Sequence, residues 1–259
     1  MAGHPLAHAS SCGVACSKTK QAARIVSGRI AKHVLCRISP MPKALFPHFT
    51  TGSRKRAEKL GSEFGGTFDR HKAIFIHIPK AAGTSIAFAI FGHQISHHSI
   101  THYYARNYEK ASDYFKFTFV RDPLARLVSA YRYLAAGGMN SHDRDFARRY
   151  IQDRSLPQVV EQLSTDPKFL DSLHFRPQFK FVTHPQRAAT LLVNYVGRVE
   201  TLADDIRYVL QRLELNSHIP QLNRSTNQAP IDDIELRSLR EAVYRIYEYD
   251  YELFGYPRA

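Results

Sequence analysis

The 259-residue chain is long enough for one generous domain, or a domain with a tail, and too short for a large multidomain assembly. At 44% hydrophobic and 12% aromatic it can bury a sizeable core, and a formal charge of +13 raises nucleic acid, a membrane surface or an anionic ligand as partners. That charge is uneven. Residues 1–72 hold 13 basic and 3 acidic residues (+10), residues 73–259 hold 23 and 20 (+3), and no acidic residue precedes Glu58. The chain divides into a basic leader, residues 1–71, and a nearly balanced globular body, residues 72–259.

The three cysteines, Cys12, Cys16 and Cys36, all lie in the leader, which excludes a disulfide framework for the body. Cys12 and Cys16 have His4, His8 and His33 nearby, but their spacing matches no standard zinc knuckle, and the body suggests no metal either. No apolar run approaches the roughly 18–20 residues that span a bilayer. The leader lacks the apolar stretch of a secretory signal; its basic, acid-free composition resembles an organellar transit peptide or an irregular arm, and Met41 offers a later start. A soluble, cytoplasmic protein of bacterial type is the expectation.

Along the chain, residues 1–65 read as mostly irregular, with a short basic helix over residues 53–60. From Ala73 to Ile78 the apolar, β-branched run is that of a buried parallel strand, ended by Pro79 and followed by a helix over 83–91. A second buried strand covers 115–120. Its helix opens at Asp122-Pro123, a capping carboxylate before a proline at the first helical position, and carries Leu124, Leu127, Val128, Tyr131 and Leu134 on one stripe until Gly137-Gly138. Residues 145–173 read as helix broken at Pro157 and Pro167. A further strand is expected over 191–199, a helix over 201–213, a polar loop over 219–230 and a final helix over 234–249. Strands alternating with helices predict a single α/β domain, a P-loop-like, mainly parallel sheet flanked by helices.

Two strand–loop–helix units carry chemistry. In Ile78-Pro79-Lys80-Ala81-Ala82-Gly83-Thr84-Ser85, small residues let the backbone curl around a ligand, the helix start directs N–H groups at an anion, and Lys80 adds a cation. The order differs from a Walker A loop, because the lysine precedes the glycine. In Val120-Arg121-Asp122-Pro123, Arg121 stands at the carboxyl end of a strand, where open α/β sheets bind ligands. Ser129 lies seven residues after Asp122, on the same helix face. Arg121 and Ser129 can grip one more phosphate from two sides.

IPKAAGTS resembles the 5′-phosphosulfate-binding loop of sulfotransferases, and VRDPLARLVSAY resembles their 3′-phosphate-binding segment. Both look like the carbohydrate sulfotransferase branch that includes heparan sulfate 2-O, chondroitin and HNK-1 type enzymes and bacterial relatives. LHFRPQ (173–178), VGRVETL (196–202) and YDYELFGY (249–256) resemble that branch too. The likeness runs from about Lys72 to Tyr256 and leaves the leader outside.

The resemblance implies transfer of a sulfuryl group from 3′-phosphoadenosine 5′-phosphosulfate (PAPS), without a metal, to a hydroxyl, foremost on a carbohydrate. Lys80, Ala81, Ala82, Gly83, Thr84 and Ser85 would then hold the 5′-phosphosulfate, and Arg121 and Ser129 the 3′-phosphate. Arg224 would close over the nucleotide, and His174 and Gln178 would approach the acceptor. Lys80 would also neutralise charge on the departing phosphate. A histidine base is expected between the two phosphate motifs, where His93, His97, His98 and His102 cluster. Spacing favours His98, 23 residues before Arg121, with His97 and His102 (19 before) behind it. Glu200 begins a helix and is expected to orient the fold. Two rivals are a P-loop nucleotide kinase or NTPase, and a non-enzymatic nucleic-acid-binding protein acting through the leader. The second leaves both anion motifs unexplained, so no nucleic-acid partner is expected.

Overall fold

The structure, a computed structural model, describes residue 64 and residues 66–185, 187–216 and 233–258. The possible helix over 53–60, the leader cysteines and Arg224 lie outside the described residues.

A short helix α1 (Thr67–His71) comes before the first strand and seats Phe68 in the core, edge-on to Phe91 and Tyr103. Strand β1 (Ala73–Ile76) is buried along its whole length, as its unbroken apolar run requires. It leads into α2 (Gly83–Phe91). Two helices the sequence reading did not propose follow, α3 (Ile100–Arg106) and α4 (Tyr108–Asp113), the second capped by the Asn107 side chain accepting from the Lys110 N–H. Strand β2 (Phe115–Val120) then runs parallel to β1, with Phe75 opposite Phe117 and the two rings stacked at 5.1 Å. Buried Lys116 is tolerated because its ammonium donates to the carbonyls of Ser112 and Tyr114, at 3.1 and 2.7 Å; burial still lowers its pKa to about 8.

Helix α5 (Pro123–Ala135) starts as its sequence dictates, Asp122 accepting from the Ala125 N–H at 2.8 Å and Pro123 needing no acceptor. The helical stretch is interrupted just ahead of Pro157 and of Pro167, over residues 151–155 and at Asp166, as expected. The two prolines open α7 (Leu156–Thr165) and α8 (Pro167–Leu170), after α6 (Ser141–Tyr150), since a missing N–H costs nothing in a first turn. A short helix α9 (Phe179–Val182) precedes an antiparallel pair, β3 (Thr183–His184) with β4 (Arg187–Leu191).

The strand expected over 191–199 is therefore two elements. The β4 strand ends at Leu191, Asn194 exchanges hydrogen bonds with the Lys116 backbone, and β5 (Tyr195–Arg198) begins after it, parallel to β2. Gly197 lies opposite Phe119, and a Cβ there would come within 2.5 Å of the phenyl ring. The parallel sheet has the order β1-β2-β5.

A 3₁₀ turn (Val199–Thr201) leads to α10 (Leu202–Arg212), which buries Ile206, Val209 and Leu210. The last helix, α11 (Asp233–Phe254), extends beyond the expected 249 and kinks at Tyr247, whose hydroxyl donates to the Phe175 carbonyl at 2.8 Å. Helices flank a parallel sheet, the α/β arrangement that the sequence pattern predicts.

Candidate functional site

The loop between β1 and α2 holds two non-glycine residues in the left-handed region, Lys80 (φ 67°) and Ala82 (φ 58°). Such conformations cost of order 1 kcal/mol each and persist only where surrounding packing fixes them. His77 supplies that packing. It is 2% exposed, stacks on Phe75 and donates from Nδ1 to the Ile95 carbonyl at 2.8 Å. Its ring fills the space a side chain at position 83 would need: a Cβ on Gly83 would lie 2.0 Å from His77 Cδ2. Burial drives the His77 pKa down to about 3, so the ring is neutral.

The N–H groups of the first turn of α2 have no acceptor within the helix, and Ala82 has no side chain to cap them. Ala81 and Ser85 are buried beneath the turn, and Thr84 is exposed on it.

Lys80 Nζ sits 3.9 Å above the Tyr133 ring. Burial, then the nearby Arg121 charge, lower its pKa to about 8, against an opposing pull from Asp143. Tyr133 is fixed in turn. Its hydroxyl donates to Asp143 and accepts from the Met139 N–H at 3.0 Å. Asp143 also accepts from Asn140 Nδ2 at 2.8 Å and pairs with His174 Nε2 at 2.9 Å. Gly138, at φ +64°, leaves room for this carboxylate; a Cβ there would be 2.3 Å from that of Asp143.

Arg121 emerges from the end of β2, where burial lowers its pKa, opposed by Glu200 and Asp122. Lys80, Arg121 and Ser129 line one cavity of about 300 Å³, together with Arg132, Tyr133 and Met139. Three residues singled out from two separate motifs thus meet around a single space.

Gln178 is placed differently from the acceptor contact expected of it. It is 0% exposed, and its amide is spent on the Arg121 backbone, accepting from the N–H at 3.0 Å and donating to the carbonyl at 2.9 Å. His174 stands by the cavity wall, paired with Asp143 and 5.2 Å from the Tyr133 ring. Its segment is held by buried Arg126, which donates to the carbonyls of His174, Phe175 and Arg176. Glu200 accepts from the Asp122 N–H at 2.7 Å and from the Tyr256 hydroxyl at 3.0 Å, a bracing position.

The four histidines separate. His93 is exposed and bonded to Thr67. His98 and His102 stack on each other at 3.8 Å; burial, then His98 and Arg106, lower the His102 pKa to about 4. His97 lies 4.0 Å from the His77 ring and donates from Nδ1 to the His77 carbonyl at 2.8 Å, which leaves Nε2 as the basic nitrogen. Burial lowers its pKa, the hydrogen bond to His77 opposes this, and the charges of His174, Asp143 and His98 also act on it. His97 thus lies within electrostatic reach of the His174–Asp143 pair, while His98 and His102 stack on each other.

Sequence reasoning did not single out His77, Tyr133 or Asp143. Tyr133 was legible, four residues beyond Ser129 and hence on the same helical face. Asp143 was not, because nothing local links a carboxylate on α6 to the phosphate motifs.

The model of the sulfotransferase family matches residues 67–257. The chain is 26% identical over 247 residues to carbohydrate sulfotransferase 12 of Mus musculus, covering 73% of this chain and 59% of that protein. It is 26% identical over 232 residues to carbohydrate sulfotransferase 9 of Homo sapiens, covering 73% and 52%. With carbohydrate sulfotransferase 14 of Mus musculus it shares 30% identity over 161 residues, covering 56% and 43%. The chain thus spans between about two fifths and three fifths of the length of these relatives. No solved structure matches it significantly. Since the family match takes in both phosphate motifs, the cavity they line and the sheet that carries them, the chain belongs to the sulfotransferase family.

Proposed function

We propose that the protein transfers a sulfuryl group from PAPS to a hydroxyl of a carbohydrate acceptor. The observation that carries this reading is the convergence of Lys80, Arg121 and Ser129 on one cavity of about 300 Å³ in a chain of this family. The names of the relatives favour a carbohydrate over other hydroxyl compounds.

The residue set fits the donor. Its anionic groups match three cations, Lys80, Arg121 and Arg132, a serine hydroxyl and the first-turn N–H groups of α2. Lys80, the N–H groups of Gly83, Thr84 and Ser85, and the small Ala81 and Ala82 hold the phosphosulfate end. Arg121 and Ser129 hold the 3′-phosphate. PAPS, when bound, supplies the activated sulfuryl group. Lys80 neutralises charge that develops on the phosphate side of the broken bond. His97 takes the proton of the acceptor hydroxyl at Nε2, its ring oriented by the His77 carbonyl. This reading departs from the spacing, which favours His98. Burial and the stacked His98 hold His102 neutral but leave it turned toward its neighbour. His174 orients through Asp143, and Gln178 acts on Arg121 rather than on the acceptor.

Radiolabelled PAPS, offered with a panel of glycans, glycolipids and small alcohols, tests the proposal. Label should pass to a glycan, and Lys80→Ala and Arg121→Ala should abolish transfer. Replacement of His97 by Ala should lower kcat by roughly 10²–10⁴-fold, as loss of a general base does, while His98→Ala stays near wild type. The reverse order would return the role to His98. Protection by ATP with magnesium in preference to PAPS would replace the sulfotransferase reading with a nucleotide kinase.

A further inference from the structure

The end of β2 is held by side chains that belong to neither phosphate motif. Three backbone groups at this point, the N–H and carbonyl of Arg121 and the N–H of Asp122, are each bonded to a side chain distant in sequence. Gln178 takes the first two through its amide, and Glu200 takes the third. Neither holder is loose. The Gln178 N–H donates to Asp250 Oδ2 and the Phe179 N–H to Asp250 Oδ1, both at 2.8 Å, and Asp250 is 0% exposed near buried Arg126. Glu200 is bonded through its other oxygen to the Tyr256 hydroxyl. Asp250 and Tyr256 both come from the last helix and the tail that follows it.

We infer that Gln178 and Glu200, anchored by Asp250 and Tyr256, are positioning residues for recognition of the donor's 3′-phosphate. The inference rests on the proposed function, because it takes Arg121 and Ser129 to hold that phosphate. A residue just past a strand end has no ladder partner of its own, so its direction is set by whatever its backbone groups bond to. Here the Gln178 amide fixes the peptide on both sides of the Arg121 Cα. The Glu200 carboxylate holds the second of these peptides from its other edge, at the Asp122 N–H, and the Asp122 side chain caps α5, the helix that carries Ser129. The guanidinium and the hydroxyl are held in one register by the carboxyl-terminal end of the chain. That supplies a physical use for the LHFRPQ, VGRVETL and YDYELFGY segments, which otherwise stand apart from the phosphate motifs.

The test compares affinity for adenosine 3′,5′-bisphosphate with affinity for adenosine 5′-monophosphate, the two differing only in the 3′-phosphate. Calorimetry on the full chain gives the ratio for wild type and for Arg121→Ala, Gln178→Met and Tyr256→Phe, and thermal melting reports folding. Wild type should prefer the bisphosphate, and Arg121→Ala should abolish the preference. Gln178→Met, similar in volume but unable to bond the Arg121 backbone, should lower the ratio about tenfold while the monophosphate affinity holds. Tyr256→Phe, which removes one outer hydrogen bond and keeps the ring, should lower it about twofold to threefold and remains decisive if Gln178→Met does not fold. An unchanged ratio in a folded variant, or equal losses for both nucleotides, overturns the positioning role. A wild type without preference for the bisphosphate overturns the donor reading itself, and the inference with it. The two failures are told apart by the wild-type measurement alone.

Discussion

Gly83 and His77 occupy each other's space, so the shape of the phosphate loop depends on a pair of residues six apart in sequence. The glycine is needed less for its backbone freedom than for its missing side chain, since a Cβ would meet the imidazole at 2.0 Å. Replacing Gly83 with Ala should force the ring or the loop to move, costing about 1–3 kcal/mol as overpacking does. It should lower kcat/KM about a hundredfold through misplacement of Lys80 and the α2 N–H groups. Thermal melting and steady-state kinetics on one preparation check both parts; a drop in melting temperature with normal kinetics would contradict the role given to the loop. The backbone carbonyl of the same residue orients His97. Residue 77 thus shapes the loop after β1 through its ring and sets the tautomer of the proposed base through its main chain.

At the scale of elements, the parallel strands are joined to their helices by buried carboxylates. Asp205, in the first turn of α10, accepts from the Tyr195 hydroxyl at 2.7 Å, the Arg198 N–H at 2.8 Å and the Thr201 hydroxyl at 2.6 Å, locking β5 to the helix that follows it. Asp205→Ala leaves those donors without their acceptor and should destabilise the protein by about 2–4 kcal/mol, read as a lower urea midpoint with the slope unchanged. Asp250 does the same for α11 and the segment that begins α9. The elements themselves were largely legible in the sequence. The helix over 83–91 has the expected bounds, and the Asp122-Pro123 start of α5 is where local chemistry puts it. The misreading came where one local signal has two meanings. The apolar run from Leu191 conceals the point at Asn194 where the chain leaves an antiparallel pair for the parallel sheet.

For the molecule as a whole, one buried and several half-buried histidines make acid a denaturant. His77, His97, His102 and His174 all have folded-state pKa values below the usual 6.5, burial being the first cause for each. A depressed histidine pKa means that the unfolded chain binds more protons than the folded one between the folded-state value and about 6.5. Stability from these groups is complete above about 6.5 and declines as pH falls toward the folded values, about 4 for His102 and about 3 for His77. His77 alone should contribute a slope of about 1.4 kcal/mol per pH unit across that window. Melting temperatures measured from neutral pH downward should fall, and less steeply for His77→Asn, whose amide can still donate to the Ile95 carbonyl. Equal slopes for the two proteins would refute the neutral, buried state of His77. Among the described residues no helix is long and apolar enough to cross a membrane.

The sequence by itself determined what depends on neighbours along the chain: the apolar strands, the capped helix starts, and two strand-to-helix turns whose small residues, cations and hydroxyls point to the family. It also determined that most of the +13 charge belongs to the leader rather than to the body. Only the tertiary structure decided that the Gln178 amide bonds the Arg121 backbone, that Tyr133 lines the cavity beneath Lys80, and that Asp143 holds Tyr133 and His174 from behind. These are contacts between residues from 10 to 57 positions apart, made where chain segments meet at the strand ends. No spacing rule reaches across such separations. A side chain's field and hydrogen-bond partners are set by which surfaces the packed sheet and helices bring together.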